Sequence, residues 1–118
     1  MKRDMDLVRK ILLAMEADQP VIMTLGYDPD VVGHHVWLME QGDLITVSAT
    51  STHDDVGPVA VPGAITWKGQ EFLDAVRDDD VWNEVNRRLR AQGLSSLPLE
   101  LLQVLALKIL AELPSLNE

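Results

Sequence analysis

The sequence predicts an α+β fold that is mostly helical: a winged-helix-like core followed by two additional C-terminal helices. Three observations support this class. The chain has 118 residues, of which 47% are apolar, enough for one domain with its own core. Apolar residues recur at helical spacing in several segments that begin with capping residues. Two β-rich runs in the middle are separated by polar, turn-forming residues. We expect a core over residues 1–79 and a helical extension over 80–118, packed as one domain.

The first half predicts a helix, a short strand and a second helix. Residues 4–17 carry apolar side chains along one helical face, with Asp4 as the cap. Val21–Leu25 is rich in β-branched residues and predicts the strand. Asp28 followed by proline is a helix-start signal, and Gly42 is a stop signal. The second helix is therefore expected over about residues 29–41, with an inward stripe formed by Val32, His35, Val36 and Met39.

The middle of the chain predicts a β-hairpin, the wing of the fold. Its strands are expected at Leu44–Ala49 and Val59–Thr66, with Pro62 at an edge or a bulge. Thr50–Pro58 is polar and is expected to form a mobile tip.

Three helices are expected after the hairpin. Thr66 is the predicted cap of the third helix and Asp80 that of the fourth. Trp67, Phe72 and Trp82 are expected in the core. The fourth helix should bury Val81, Trp82, Val85 and Leu89.

The fifth helix, over about residues 97–113, is apolar nearly all round. Such a helix is expected to cross the core or to join another chain. The second possibility predicts a homodimer, with self-association candidates Leu101, Leu105, Ile109 and Leu113.

Catalytic and cofactor motifs are missing from the sequence. There is no cysteine, no HExxH, no phosphate-binding loop, no dinucleotide fingerprint and no nucleophile elbow. His34 and His35 are adjacent, so on a helix they diverge and are poorly placed to share a metal ion. We therefore expect no enzyme activity, no cofactor and no metal site. The charged start MKRDMD lacks a signal core, so the expected location is the cytoplasm of a bacterial cell, without a membrane span.

Two blocks of sequence carry a family resemblance. MKRDMDLVRKILLAME, at the start, and ITWKGQEFLDAVRDDDVWNEV, beginning at Ile65, resemble the signatures MKRDMDLIRxIL and LTWxGHxFLDxxRDxxxW. These belong to a family of short proteins of unknown function found in phages, prophages and their hosts, loosely similar to YjcQ-like winged-helix proteins. The resemblance implies a winged-helix fold and a mobile-element setting, but no activity. Gln70 stands where histidine is usual, and the match is expected to fade after Val85.

The distribution of charge bears on nucleic-acid binding. The formal net charge is −9, and no lysine or arginine lies between residues 11 and 67. That interval contains eight acidic residues, the second helix and the whole hairpin. A winged helix uses these parts to contact DNA, where cations supply most of the affinity. Binding of nucleic acid through the wing is therefore not expected.

The alternative to nucleic acid as the binding partner is another protein. On the second helix, Asp30, Gly33, His34, Trp37 and Gln41 are expected to face outward. Trp37 either forms an interface or packs under the wing, since tryptophan is common in both settings. His35, on the apolar stripe, is expected to be a core histidine. Together with the two aspartates of the hairpin tip, the candidate partner-binding residues are Asp30, His34, Trp37, Gln41, Asp54 and Asp55.

Two functions follow as hypotheses. The first is a non-enzymatic accessory protein that acts by protein contact, as an anti-repressor, a regulator's partner or an inhibitor of a host defence complex, with DNA mimicry as one form. The second is a winged-helix DNA-binding transcriptional regulator that uses Arg87, Arg88 and Arg90 on the fourth helix. Binding to duplex DNA that weakens steeply with salt would distinguish the second from the first.

Overall fold

A computed structural model of the chain describes residues 2–21 and 26–116, with side chains up to residue 113. This part contains helices α1 (Met5–Glu16), α2 (Pro29–Gln41), α3 (Trp67–Val76), α4 (Asp79–Ala91) and α5 (Leu99–Leu116), and strands β1 (Ile45–His53) and β2 (Gly57–Ile65). The two strands form an antiparallel hairpin. The predicted α+β, mostly helical class is confirmed.

The chain divides into two compact units, Met1–Glu71 and Phe72–Glu118. The expected division into a core over residues 1–79 and an extension over 80–118 stays a prediction. The predicted strand over residues 21–25 lies outside the described residues except for Val21, which is buried and has helical backbone.

Helices α1 and α2 begin where the capping residues predict. The Asp4 side chain accepts a hydrogen bond from the Leu7 N–H at 3.2 Å, and that of Asp28 accepts one from the Asp30 N–H at 2.8 Å. Gly42 follows the last residue of α2. The predicted inward stripe of α2 is fully buried.

His35 is a core histidine, as predicted. It is 1% exposed, and its Nε2 accepts a hydrogen bond from the Asp4 N–H at 2.9 Å. Its Nδ1 lies 2.9 Å from the carbonyl oxygen of Val31, which can only accept. The ring is therefore neutral with its proton on Nδ1, and it joins α1 to α2.

The hairpin is longer than predicted. Its strands extend to His53 and resume at Gly57, so the turn is only Asp54–Val56 rather than the whole of Thr50–Pro58. The polar residues of that segment are strand residues because cross-strand pairing continues through them. The register shifts on both sides of Val47, which pairs with Pro62, as the expected bulge requires.

Gly33 lies against the hairpin, which corrects its predicted outward position. A Cβ at residue 33 would be 3.0 Å from Cβ of Val59. The missing side chain allows α2 to approach β2 closely.

In the second unit, α4 begins two residues earlier than the predicted cap, Asp80, would place it. Asp78, not Asp80, is the N-cap: its Oδ1 accepts hydrogen bonds from the N–H groups of Asp80 and Val81, at 2.8 and 3.2 Å. The predicted inner face of α4 is buried.

The described chain buries only one side of α5, so burial of its other sides by another chain stays a prediction. Leu102, Ala106 and Ile109 are at most 1% exposed, while Leu101 and Val104 are 55% and 62% exposed. Only one stripe of this apolar helix has a partner within the described chain. Among the self-association candidates, Leu101 is exposed, and Leu105 and Leu113 are half-buried. Ile109 is wholly buried within the chain, so its side chain is not available to a second copy.

Trp67 also differs from its prediction, since it is 82% exposed. It is the first residue of α3, whose buried side chains include Phe72, Leu73 and Val76. At 100° per residue, Trp67 lies about 160° from Gly69, which is on the buried face. Its indole N–H donates to the Glu71 carboxylate on the same helix. Phe72 and Trp82 are buried as predicted.

Candidate functional site

Two contacts made by histidine side chains fix the start of α2 against the hairpin. Nδ1 of His34 donates to the carbonyl oxygen of Pro58 at 2.7 Å. Nδ1 of His53 lies 2.8 Å from Oδ1 of Asp30. Because Asp30 and His34 are one helical turn apart, the two histidine contacts attach the same face of α2 to successive parts of the hairpin. We call α2 together with β1, β2 and their turn the helix–hairpin surface.

Trp37 is the aromatic centre of this surface. Its ring stacks on that of His34 with centroids 5.6 Å apart and planes at 25°. Trp37 is half-buried: one part of the side chain packs and the rest is accessible, and its place in an interface stays a prediction. The bond from His34 to Pro58 holds the imidazole, and the imidazole in turn limits the movement of the indole.

The charges around this centre are acidic. Asp54 and Asp55 are exposed at the turn, next to His53, which contacts Asp30. The side chains of Asp30 and His53 are each 46% exposed, so their contact is largely solvated. Asp28 at the start of α2 is exposed too. With no lysine or arginine between residues 11 and 67, this surface offers acceptors and negative charge.

Gln41 lies apart from the other candidate residues of α2. It lies about 10 Å beyond His34 along the helix axis, at 1.5 Å per residue, and its amide donates to Glu40 at 2.6 Å. The structure therefore brings together Asp30, His34, Trp37 and the turn that carries Asp54 and Asp55, and leaves Gln41 at the far end of α2.

A cavity of about 360 Å³ lies between the start of α2 and the hairpin. Its lining includes Asp30, Ser51 and His53 on the polar side and Val59 and Val61 on the apolar side. Oγ of Ser51 is 3.4 Å from Nε2 of His53, a long and weak contact. The cavity thus has the mixed lining of a small binding cleft.

The order Asp30, His53, Ser51 resembles an acid–base relay, but acyl transfer also needs N–H groups that converge on the oxygen under attack. The neighbouring N–H groups at the start of α2 are already in use. Those of Asp30 and Val32 donate to Asp28, at 2.8 and 3.0 Å. We therefore interpret the Asp30–His53 contact as a link between helix and hairpin.

Two of the three arginines of the DNA-binding hypothesis form ion pairs with acidic side chains of the second unit. Arg87 makes a forked contact to the Glu84 carboxylate, with Nε 3.0 Å from each oxygen. Nε of Arg88 is 3.1 Å from Glu84, and its Nη2 is 3.2 Å from Glu112 on α5. The hydrogen bonds from Arg87 and then Arg88 lower the pKa of Glu84 from 4.5 to about 2. Arg90 is exposed, so it is the cation of this group most available to a ligand.

Other charged groups supply little to a site. On α1, Arg9 is only 8% exposed, and the Lys10 ammonium lies 5.3 Å from the centroid of the Tyr27 ring.

Across residues 2–21 and 26–116, no three histidine, aspartate or glutamate side chains cluster as metal ligands would. In the same residues, no helix combines the length and the apolar character needed to cross a membrane.

The fold and the helix–hairpin surface define a small α+β protein with an acidic, aromatic-centred surface. A family model described as "Hypothetical protein (DUF2513)" matches residues 2–95. The chain belongs to this DUF2513 family. It is similar to an uncharacterized protein of Haemophilus influenzae (strain ATCC 51907 / DSM 11121 / KW20 / Rd), with 30% identity over 119 residues that cover 96% of this chain and 98% of the relative. No solved structure matches the chain.

The comparisons confirm membership of a family of unknown function and extend the resemblance. The family match continues past Val85 to residue 95. Since the Haemophilus relative aligns with 96% of the chain, most of α5 is shared with that protein.

Sequence reasoning missed three features: two in the site, the bond from His34 to Pro58 and the contact of His53 with Asp30, and one outside it, the exposure of Trp67. The first two join residues 24 and 23 positions apart, and no local pattern signals such pairs. The third was signalled, because Trp67 falls opposite the apolar face of its own helix.

Proposed function

We propose that this protein works by contacting another protein through the helix–hairpin surface and that it catalyses no reaction. The observation that supports this proposal most is the stacked pair of His34 and Trp37, anchored to Pro58 on a surface that has no lysine or arginine. A half-exposed tryptophan held rigidly by its neighbours has little conformational entropy to lose on binding, and such residues dominate interface energies.

The charge of the surface favours a basic protein as the partner. In a winged helix the second helix and the wing approach the phosphates, and counterion release provides most of the affinity. Here the same elements carry carboxylates at Asp28, Asp54 and Asp55, which repel phosphates and attract lysine and arginine. A partner that itself binds nucleic acid presents the complementary charge, so the protein would act as a mimic of DNA.

The family resemblance suggests the biological setting. A phage- or prophage-associated protein in the bacterial cytoplasm that contacts a basic partner would serve as an anti-repressor, a partner of a regulator or an inhibitor of a host defence complex. All three roles use the same surface and need no cofactor.

Affinity capture from an induced bacterial host tests the proposal with two matched tryptophan variants. Trp37→Ala removes the centre of the helix–hairpin surface, and Trp67→Ala removes an exposed tryptophan outside it. We expect a set of captured proteins that is lost with Trp37→Ala and kept with Trp67→Ala. Equal capture by wild type and both variants contradicts the proposal, and loss with Trp67→Ala alone moves the contact site to the start of α3.

Charge variants at the turn give a second test that leaves the core untouched. Asp54 and Asp55 are both exposed, so changing them affects binding rather than folding. The double variant to asparagine should weaken capture of a basic partner, and the double variant to lysine should weaken it more. Unchanged capture by both would exclude the turn from the interface.

The second candidate function is DNA binding by Arg87, Arg88 and Arg90. It is favoured by the position of all three on one helix, with Arg90 exposed. It is weakened by the carboxylates of Glu84 and Glu112, which already neutralise the other two. If it is correct, changing all three to alanine abolishes retention of duplex DNA at about 50 mM salt.

A further inference from the structure

Helix α5 has an apolar stripe that the described part of the chain leaves uncovered. Leu101, Val104 and Leu107 are 55%, 62% and 46% exposed, and they lie three residues apart along the helix. Leu102, Ala106 and Ile109, on another face, are buried. A contiguous group of large apolar side chains in water is unfavourable, and such groups mark interfaces.

Two charged residues flank this stripe symmetrically. Glu100 and Lys108 are each four residues from Val104, one on either side, and both are exposed. Neither has an ion pair or side-chain hydrogen bond to any other residue that the structure describes. Glu112, the other acidic residue of α5, is paired with Arg88. The stripe therefore presents one free acid and one free base at equal distances from its centre.

We propose that a second copy of this chain covers the stripe, with the two α5 helices antiparallel and a two-fold axis passing beside Val104. In that arrangement Leu101 faces Leu107 of the second copy, and Val104 faces its own counterpart. Glu100 faces Lys108 of the second copy, and by symmetry the pair occurs twice. The surface thus matches itself in both apolar character and charge.

A parallel arrangement does not match in this way. Parallel helices in register place each residue beside its own copy, so Glu100 would meet Glu100 and Lys108 would meet Lys108. Like charges in these positions oppose association. The charges therefore favour the antiparallel orientation over the parallel one. The apolar stripe alone does not distinguish the two orientations.

This inference is independent of the proposal for the helix–hairpin surface. Loss of the dimer would leave capture of a partner by α2 and the hairpin untested, and failure of that capture would not affect the dimer. Trp37→Ala should leave the oligomeric state unchanged. Glu100→Lys should leave the stacked pair of His34 and Trp37 unchanged.

The experiment measures the mass of the full chain by analytical ultracentrifugation from about 1 to 100 µM, with charge-reversed variants. We expect the wild type to form a dimer within this range. Glu100→Lys and Lys108→Glu should each weaken dimerisation about tenfold, because each replaces two attractive pairs with two repulsive ones. The double variant carrying both changes should dimerise like the wild type.

An equimolar mixture of the two single variants provides the sharpest test. A chain with lysine at both positions complements a chain with glutamate at both, so the mixture should form heterodimers more readily than either variant forms homodimers. Val104→Asp should give a monomer with an unchanged far-UV circular dichroism spectrum, since its side chain is 62% exposed.

Three results would overturn the inference. A wild type that remains monomeric at 100 µM removes the dimer. Single variants that dimerise as well as the wild type remove the contact between Glu100 and Lys108. A double variant as weak as the single variants, or a mixture without heterodimers, removes the antiparallel arrangement.

Discussion

Nδ1 of His34 donates a hydrogen bond to the carbonyl oxygen of Pro58 at 2.7 Å, and this bond ties α2 to the start of β2. The same imidazole carries the stacked indole of Trp37. The position of the most prominent aromatic group on the acidic surface therefore depends on a contact between helix and hairpin. Folding of the hairpin and formation of the candidate interface are coupled through this residue.

Replacing His34 tests that coupling. His34→Ala removes one partly buried hydrogen bond and the ring on which Trp37 rests, so we expect a loss of about 1 kcal/mol in the free energy of unfolding. Urea denaturation followed by circular dichroism measures it. His53→Ala is the control: its contact with Asp30 is about half exposed and should contribute less. If the two variants lose the same stability, His34 has no special role in attaching the hairpin.

Gly69 supports the first unit through close approach of backbone. A Cβ at this position would lie only 1.9 Å from the carbonyl oxygen of Leu44, which also accepts the Thr66 N–H at 3.0 Å. Because backbone cannot give way as a flexible side chain does, Gly69→Ala should cost about 3 kcal/mol or more. Gly33→Ala, with 3.0 Å to Cβ of Val59, should cost less. Thermal denaturation ranks the two, and the reverse order would contradict the structure.

The contrast between two aromatic residues of α3 gives a further prediction. Trp67 is 82% exposed and Phe72 is wholly buried. Trp67→Ala should change the free energy of unfolding by less than about 0.5 kcal/mol, as expected for a surface site. Phe72→Ala should lower it by about 3 to 5 kcal/mol, because it leaves a cavity in the core. A large loss for Trp67→Ala would mean that its side chain is covered.

Glu84 should make the stability of the second unit depend on pH. Its pKa is lowered from 4.5 to about 2 by hydrogen bonds from Arg87 and Arg88, so the folded state binds the proton less tightly than the unfolded state does. Its stabilising contribution is complete above pH 4.5 and is lost as the pH falls towards 2. Melting temperatures between pH 2 and 7 should therefore fall less steeply for Glu84→Gln than for the wild type. Parallel curves would show that the pair with the arginines contributes nothing.

Local patterns were enough to predict most of the elements. The capping aspartates at positions 4 and 28 and the stop at Gly42 predicted the bounds of α1 and α2 to within a residue or so, because those signals act within one helical turn. The buried stripes of α2 and α4 followed from periodicity. At α4, however, the predicted cap was Asp80, and the structure has Asp78, the first of three successive aspartates, in that position.

The errors arose where packing between distant segments decides the outcome. The hairpin extends through polar residues because cross-strand hydrogen bonds continue there, which composition does not reveal. Gly33 is inside because β2 lies over it. The apolar circumference of α5 indicated burial; one stripe is buried within the described chain, and burial of the rest by another chain stays a prediction. The candidate site was predicted in its residue types along α2, while its anchoring by Pro58 and His53 depends on tertiary contacts.

The most direct test of the central claim is an NMR titration of the isotopically labelled protein with duplex DNA at about 50 mM salt. If the helix–hairpin surface is built for a protein partner, amide resonances of residues 28–66 will not shift, even where Arg90 and its neighbours respond. Shifts concentrated in α2 and the hairpin that vanish as salt is raised would contradict the account, because they would place the acidic surface against the phosphate backbone.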